Sequence, residues 1–281
     1  MQLSTEDYGK LCRLIYDRLG LAFDDKKIHF LSKRVADRMQ LLQLDDPSRY
    51  LFLLTYGDAE GTEMQALANL VTINETYMFR EYEQLQAFAN CCLPEVISRK
   101  QALGERRLRI WSAGCSSGEE PYTLAIILRE VFPDSDRWDV EITATDIDQQ
   151  RLAMARSALY GERSVKHVPQ EYLARHFREE GLAYRVLPDT ARLVRVINMN
   201  LSERAAMRMM FGYDFVFCRN VLIYFDDRSR KAAVDHFYNA LNPGGFIFLG
   251  HSESVGRIST AFRLRRFEEH LVYMKPEETK Q

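Results

Sequence analysis

Five short apolar runs separated by helix-like stretches fill the second half of this chain, and few folds accommodate that order. LRIWSAG (108–114), VEITATD (140–146), LVRVINMNL (193–201), YDFVFCRN (213–220) and GFIFLG (245–250) each read as a strand. Between them, EEPYTLAIILREVF (119–132), Gln149 to Ala158 and Arg228 to Leu241 read as helices. Strands alternating with helices pair in parallel, because each crossover helix carries the chain back across a face of the sheet. The expected fold is α/β with a doubly wound sheet, and FRLRRFEEHLVYMK (262–275) adds two strands at one edge.

The first seventy residues carry a different pattern. Ile28, Leu31, Val35, Met39 and Leu42 recur at three- and four-residue steps over a stretch from Asp25 to Leu44 without glycine or proline, which predicts a helix capped by Asp24 or Asp25. Further helices are expected around Tyr50 to Tyr56 and Glu60 to Thr72, and a connecting helix from about Asn74 to Ala89. The reading is a helical domain over 1–72, a linker helix over 73–95 and an α/β domain over 96–281. Residues 160–195 interrupt the alternation: Tyr172 to Phe177 looks helical, and LAYRVLP and ARLVRV look like short strands, so an inserted β-subdomain is expected.

Composition removes several classes of function. With 38 Lys and Arg against 40 Asp and Glu, the net charge is −2, without the basic excess of a sequence-independent nucleic-acid binder. No apolar run approaches the roughly 20 residues that span a bilayer, and MQLSTEDYGK lacks the pattern of a secretory signal. The five cysteines (Cys12, Cys91, Cys92, Cys115, Cys218) and six histidines are scattered, without CxxC or HExxH spacing. Reduced cytosolic thiols and no metal are expected.

Ligands of doubly wound sheets bind at the carboxyl ends of the strands. There the first strand runs into Ala113-Gly-Cys-Ser-Ser-Gly-Glu119-Glu120, a turn with glycines that admit close backbone approach. It is not GxGxxG, and its glutamates suit a cationic group better than a diphosphate. The second strand ends in Thr145-Asp146, where an acidic residue accepts the hydroxyls of a ribose. A nucleoside with a cationic tail and no phosphates is S-adenosylmethionine. Taken singly, Glu119 could serve only the helix dipole and Asp146 only a helix cap.

The combination NETYMFRE (74–81), WSAGCSSGEEPYTLA (111–125), TATDID (143–148), CRNVLIYF (218–225) and LNPGGFIFLGHSES (241–254) resembles the CheR family end to end. That resemblance implies a Rossmann-like methyltransferase sheet and S-adenosylmethionine-dependent O-methylation of glutamates on chemotaxis receptors, with S-adenosylhomocysteine as product. It implies that Asn74, Thr76 and Arg80 reach the methionine end and reacting centre, that Ala113 and Glu119 line the methionine portion, and that Asp146 holds the ribose. Asn200 and Leu201 would flank the adenine, and Arg219 and Asn220 would close the site. Arg80 and Tyr224 are the expected catalytic pair. Glu75, Tyr77 and Met78 depart from the family pattern and could tune substrate choice. In some members of that family the insertion takes a peptide from the receptor's carboxyl terminus by strand addition; here it could do so or simply cover a sheet edge.

A spacing of four puts Thr76 and Arg80 on one face of the expected linker helix. Lys27, Arg34 and Arg38 fall within roughly 40° of arc on theirs, a basic stripe that the resemblance turns into a docking surface for a glutamate-rich receptor helix. Cys115 and Cys218 flank the site as oxidation-sensitive thiols or as small buried hydrophobes. The rival readings are a methyltransferase for small molecules or nucleic acids and a non-catalytic module that binds S-adenosylmethionine or a receptor array.

Overall fold

The computed structural model describes residues 3–72, 75–251, 253, 259–267 and 270–277. The N-terminal part is helical: α1 (Thr5–Leu19), α2 (Ile28–Leu41), α3 (Pro47–Phe52) and α4 (Thr62–Val71). Ser4 caps α1 by accepting the Asp7 N–H at 3.1 Å, and Asp46, ahead of Pro47, caps α3. Helix α2 is shorter than its periodicity suggested. Asp25–Lys27 form a separate 3-10 turn, and Asp24 makes no side-chain cap there.

Helices α5 (Tyr82–Ala87) and α6 (Leu93–Ala102) are joined by a π-helical turn at Phe88–Cys92, which places the Phe88 ring edge-on to Phe215, Phe217 and Phe248 at 5.0, 5.2 and 6.0 Å. Then follow β1 (Arg107–Ala113), α7 (Glu119–Val131), β2 (Asp139–Asp146), α8 (Gln149–Ser157), β3 (Leu159–Gly161), α9 (Glu162–Val165), α10 (Gln170–His176), β4 (Phe177–Glu180), β5 (Ala183–Val186), α11 (Pro188–Ala191) and β6 (Val194–Asn198). The chain continues through α12 (Arg204–Arg208), β7 (Tyr213–Cys218), α13 (Asp227–Ala240), β8 (Leu241–Leu249), β9 (Arg263–Phe267) and β10 (His270–Met274).

The main sheet has the order β6-β2-β1-β7-β8-β10-β9, parallel from β6 to β8 and closed by the antiparallel β10 and β9, as FRLRRFEEHLVYMK predicted. The winding reverses between β1 and β7. Side chains alternate across it: Leu108, Ile110, Phe215, Phe217, Phe246 and Phe248 face α6 and α7, while Trp111, Val216 and Ile247 face the other way. That second face shares its core with Leu11, Ile15, Leu67 and Val71 of the N-terminal helices.

Two local expectations change. ARLVRV is not part of the insertion: it forms α11 and β6, and β6 pairs with β2 at the edge of the main sheet. The insertion's own sheet is β3-β5-β4, with its tight hairpin at Gly181 (φ 65°) and Leu182. The Asn242-Pro-Gly-Gly segment, expected as a turn before the fifth strand, lies within β8 as a register break, because Gly244 (φ 72°) and the N–H of Lys275 to Gly245 O (2.8 Å) keep it on the sheet.

Candidate functional site

A cleft of about 1000 Å³, counting its open mouth, lies at the carboxyl ends of β1, β2 and β7, where the winding reverses. Thr76, Arg80, Asp146, Asn200, Leu201, Arg219, Asn220 and Tyr224 all line it. Asn74 lies outside the described residues.

Thr76 and Arg80 do not share a helix face, since helix begins only at Tyr82. Glu75–Glu81 is irregular, with Phe79 (φ 59°) and Glu81 (φ 53°) left-handed. Tertiary bonds replace the helical ones here: Met78 N–H donates to Ser164 O (2.9 Å) and Phe79 N–H to Thr123 Oγ1 (3.1 Å), while both side chains are buried. The Arg80 guanidinium donates to Glu75 O at 2.6 Å.

The glycine turn is shaped by the protein itself. A Cβ at Gly114 (φ 80°) would stand 2.3 Å from Val221 Cγ2, and one at Gly118 (φ 94°) 2.7 Å from the Tyr160 hydroxyl. Gly118, in the left-handed region, begins α7 and turns Glu119 away from the cleft. The Glu119 carboxylate accepts from Ser117 Oγ (2.8 Å) and Ser164 Oγ (3.0 Å) instead. Ala113 is fully buried within β1, so neither residue reaches the lining. Glu120 does; both glutamates are expected from the sequence to suit a cationic group, but the family resemblance falls on Glu119 alone.

Asp146 is buried, its Oδ2 accepting Ser116 N–H (2.7 Å) and its Oδ1 Asp148 N–H (2.8 Å). Burial outweighs these bonds and raises its pKa. Burial also raises Glu120, opposed by the Arg219 guanidinium 3.3 Å away and by the Ser112 hydroxyl at 2.7 Å. Arg219 Nη2 further donates to Arg80 O and meets Glu81 Oε2 at 3.2 Å. Burial raises the Tyr224 phenol, with the charge of Arg80 pulling the other way, so it stays a neutral hydroxyl. Cys115 and Cys218 are buried, and desolvation holds both thiols well above their ordinary pKa, which fits small hydrophobes rather than reactive thiolates.

The N-terminal helices supply a wall that the sequence reading missed. Leu19 and Leu21 line the cleft. Asn200 Nδ2 donates to Arg18 O (2.8 Å), Ser202 Oγ to Leu19 O (3.1 Å), and Ala22 N–H to Tyr224 O (3.0 Å). A Cβ at Gly20 would overlap Ser202 Oγ, the signature of this close contact.

The basic stripe divides. Arg38 is turned into the core, bonding both Glu63 oxygens (2.9 and 2.5 Å) with 19% of its side chain exposed. Arg34 lies over the Phe30 ring at 4.0 Å, and Lys27 is exposed.

The cleft has room and partners for a cationic nucleoside. Glu120 and Asp146 sit on its inner wall, and two polar atoms of lining residues, Ser116 Oγ and Arg219 Nε, are buried without a partner. Among the described residues no group of three or more metal-ligating side chains occurs, and no helix is long and apolar enough to cross a membrane.

Residues 74–270 match the family model described as the CheR methyltransferase SAM-binding domain, and residues 6–72 match that of the CheR methyltransferase all-alpha domain. The chain is 40% identical to chemotaxis protein methyltransferase 2 of Vibrio cholerae over 99% of its own length and 96% of the relative's. It is 34% identical to the chemotaxis protein methyltransferase of Salmonella typhimurium and 33% to that of Escherichia coli. Each match covers 94% of this chain, with 89% and 90% of the relatives. A nucleoside cleft with an acidic inner wall at the switch point, on a sheet joined to a helical unit, therefore has its counterpart in sequence: the chain belongs to the CheR family of S-adenosylmethionine-dependent methyltransferases.

Proposed function

We propose that this cleft methylates glutamate side chains of chemotaxis receptors, with Arg80 presenting the carboxylate and Tyr224 aligning it. S-adenosylmethionine, when bound, supplies an electrophilic methyl group on a positively charged sulfur. Asp146, oriented by two backbone N–H groups, takes the ribose hydroxyls, Glu120 takes the amino end, and Asn200 and Leu201 flank the base. The acceptor needs no general base, since a glutamate with a pKa of about 4.3 is ionised at neutral pH. The chain's task is orientation and exclusion of water, which contribute roughly 7–11 kcal/mol in favourable cases. Arg80 is poised for this by its bond to Glu75 O, and a single charged contact limits over-stabilisation of a charge that disappears in the product.

The observation that carries this reading is that Glu120 and Asp146 line the same cleft as Arg80 and Tyr224. Labelled S-adenosylmethionine and receptor cytoplasmic fragments test it. Methyl esters release volatile methanol in mild alkali, and alkali-stable label would refute glutamate esterification. Arg80→Ala should abolish turnover while S-adenosylhomocysteine binding remains measurable; near-normal turnover would remove Arg80 from the chemistry.

The helical unit of residues 1–72 is the receptor-recognition unit in this reading, with the exposed Lys27 and the half-buried Arg34 as its docking cations. The insertion offers β3 and β4 as outer strands to a receptor carboxyl-terminal peptide.

A further inference from the structure

The insertion does more than stand beside the sheet: it holds the catalytic loop. Ser164 accepts the Met78 N–H through its carbonyl and donates its hydroxyl to Glu119, so the α9 turn is fixed to the segment carrying Thr76 to Arg80. Lys166 and His167, just after this turn, meet Tyr77 together with the loop's own Arg80. Lys166 Nζ lies 5.7 Å from the Tyr77 ring centroid, Arg80 Cζ lies 5.9 Å from it, and the His167 ring is 4.9 Å away. Arg163, with 84% of its side chain exposed, reaches Glu75 at 3.5 Å. Tyr77, Arg80 and Glu75 line the cleft.

This distribution of charge has a direction. Glu120 and Asp146 line the cleft and suit the cationic donor, whereas Arg80, Arg163 and Lys166 at the loop outnumber Glu75 and Glu162 and disfavour a second cation there. An anionic occupant is what such a margin attracts. We infer that Arg163, Lys166 and the Tyr77 ring shared with Arg80 form a cationic rim that receives acidic side chains flanking the substrate glutamate on the receptor helix. The inference rests on receptor glutamates being the substrate. It adds a second recognition surface on the α/β unit, next to the reacting carboxylate and separate from the α2 cations. Tyr77 orders two of the rim cations, a role that its departure from the family pattern left open.

The test is charge reversal in the full chain. Arg163→Glu with Lys166→Glu should raise KM for a receptor cytoplasmic fragment roughly tenfold and flatten its dependence on salt, with kcat changed less than about twofold. S-adenosylhomocysteine affinity by calorimetry should be unchanged, which also reports that the variant is folded. Lys231→Glu, on α13 and outside the cleft lining, controls for net charge and should leave KM at the wild-type value. Fragment binding without methyl donor should weaken by the same factor as KM, so the rim is judged even if the wild-type chain forms no base-labile esters. That last result would count against glutamate methylation instead. An unchanged KM and salt slope in the double variant, or an equal shift in the Lys231→Glu control, overturns the rim.

Discussion

Arg219 Nη2 donates to the backbone carbonyl of Arg80 at 2.5 Å, so one arginine of the cleft fixes the main chain of another. The same guanidinium meets Glu81 at 3.2 Å and Glu120 at 3.3 Å, with only 4% of its side chain exposed. It pairs with two half-buried carboxylates and stabilises the left-handed turn at Glu81.

Removing that cation leaves both carboxylates uncompensated. Arg219→Met should lower stability by about 3–5 kcal/mol, the usual cost of breaking a buried ion pair on one side. Denaturant unfolding measures it. A loss under about 1 kcal/mol would mean that the network around Arg219 is dispensable.

Helix α2 separates fold from recognition residue by residue. Arg38, Glu63 and the fully buried Tyr50 form one network, with Tyr50 donating to Glu63 at 2.7 Å and that carboxylate helping to hold the phenol far above its ordinary pKa. Arg38→Met should cost about 3 kcal/mol of stability by leaving Glu63 buried and unpaired. Arg34→Glu should cost about 1 kcal/mol, through its contact with Phe30 and its bond to Leu70 O, while raising the receptor KM in a salt-sensitive way. Denaturation midpoints and kinetics at two ionic strengths check both. Equal destabilisation by the two substitutions would end the distinction.

The alternation of apolar runs made the sheet legible, since buried parallel strands and crossover helices leave period and length in the sequence. The irregular loop at Glu75–Glu81 was not legible. Its spacing satisfies a helix, and bonds from distant Ser164, Thr123 and Arg219, 86, 44 and 139 residues away from their partners, hold it in left-handed turns instead. Arg38 escaped for the same reason: a helical projection places a charge on an arc, but the partner that turns it inward, Glu63, belongs to another helix. The cleft's strand-end residues were readable from motifs, whereas the choice of Glu120 over Glu119 depends on the left-handed Gly118 that starts α7.

Burial raises the carboxyls of both Asp146 and Glu120. The folded chain therefore holds protons on them more tightly than the unfolded chain does. Their neutral forms favour folding at low pH, and that contribution is lost as pH rises through the raised values. The α-ammonium of S-adenosylhomocysteine favours the ionised form of Glu120, and ribose hydroxyls that donate favour the ionised form of Asp146. Affinity for S-adenosylhomocysteine should accordingly fall as pH drops through values above the ordinary carboxylate range, with protons released on binding. Calorimetry in two buffers of different ionisation enthalpy measures both effects. A flat affinity with no proton release would remove Glu120 from the amino end and Asp146 from the ribose.

The cleft's glycine turn makes the last case. Gly114 sits at φ 80°, and a Cβ there would lie 2.3 Å from Val221 Cγ2 and 3.2 Å from Cγ1. Gly114→Ala meets two separable costs: about 1–2 kcal/mol for a left-handed backbone and about 1–3 kcal/mol for overpacking. Val221→Ala removes both methyl groups concerned, so the second cost should vanish in the double variant while the first remains. A thermodynamic cycle should then give a favourable coupling of about 1–3 kcal/mol between the two substitutions. If Gly114 were needed instead for close approach of the ligand, stability would be restored by Val221→Ala without recovery of S-adenosylhomocysteine affinity. Recovery of both assigns the glycine to packing of the β1 turn against Val221; recovery of neither would show that the backbone angle dominates.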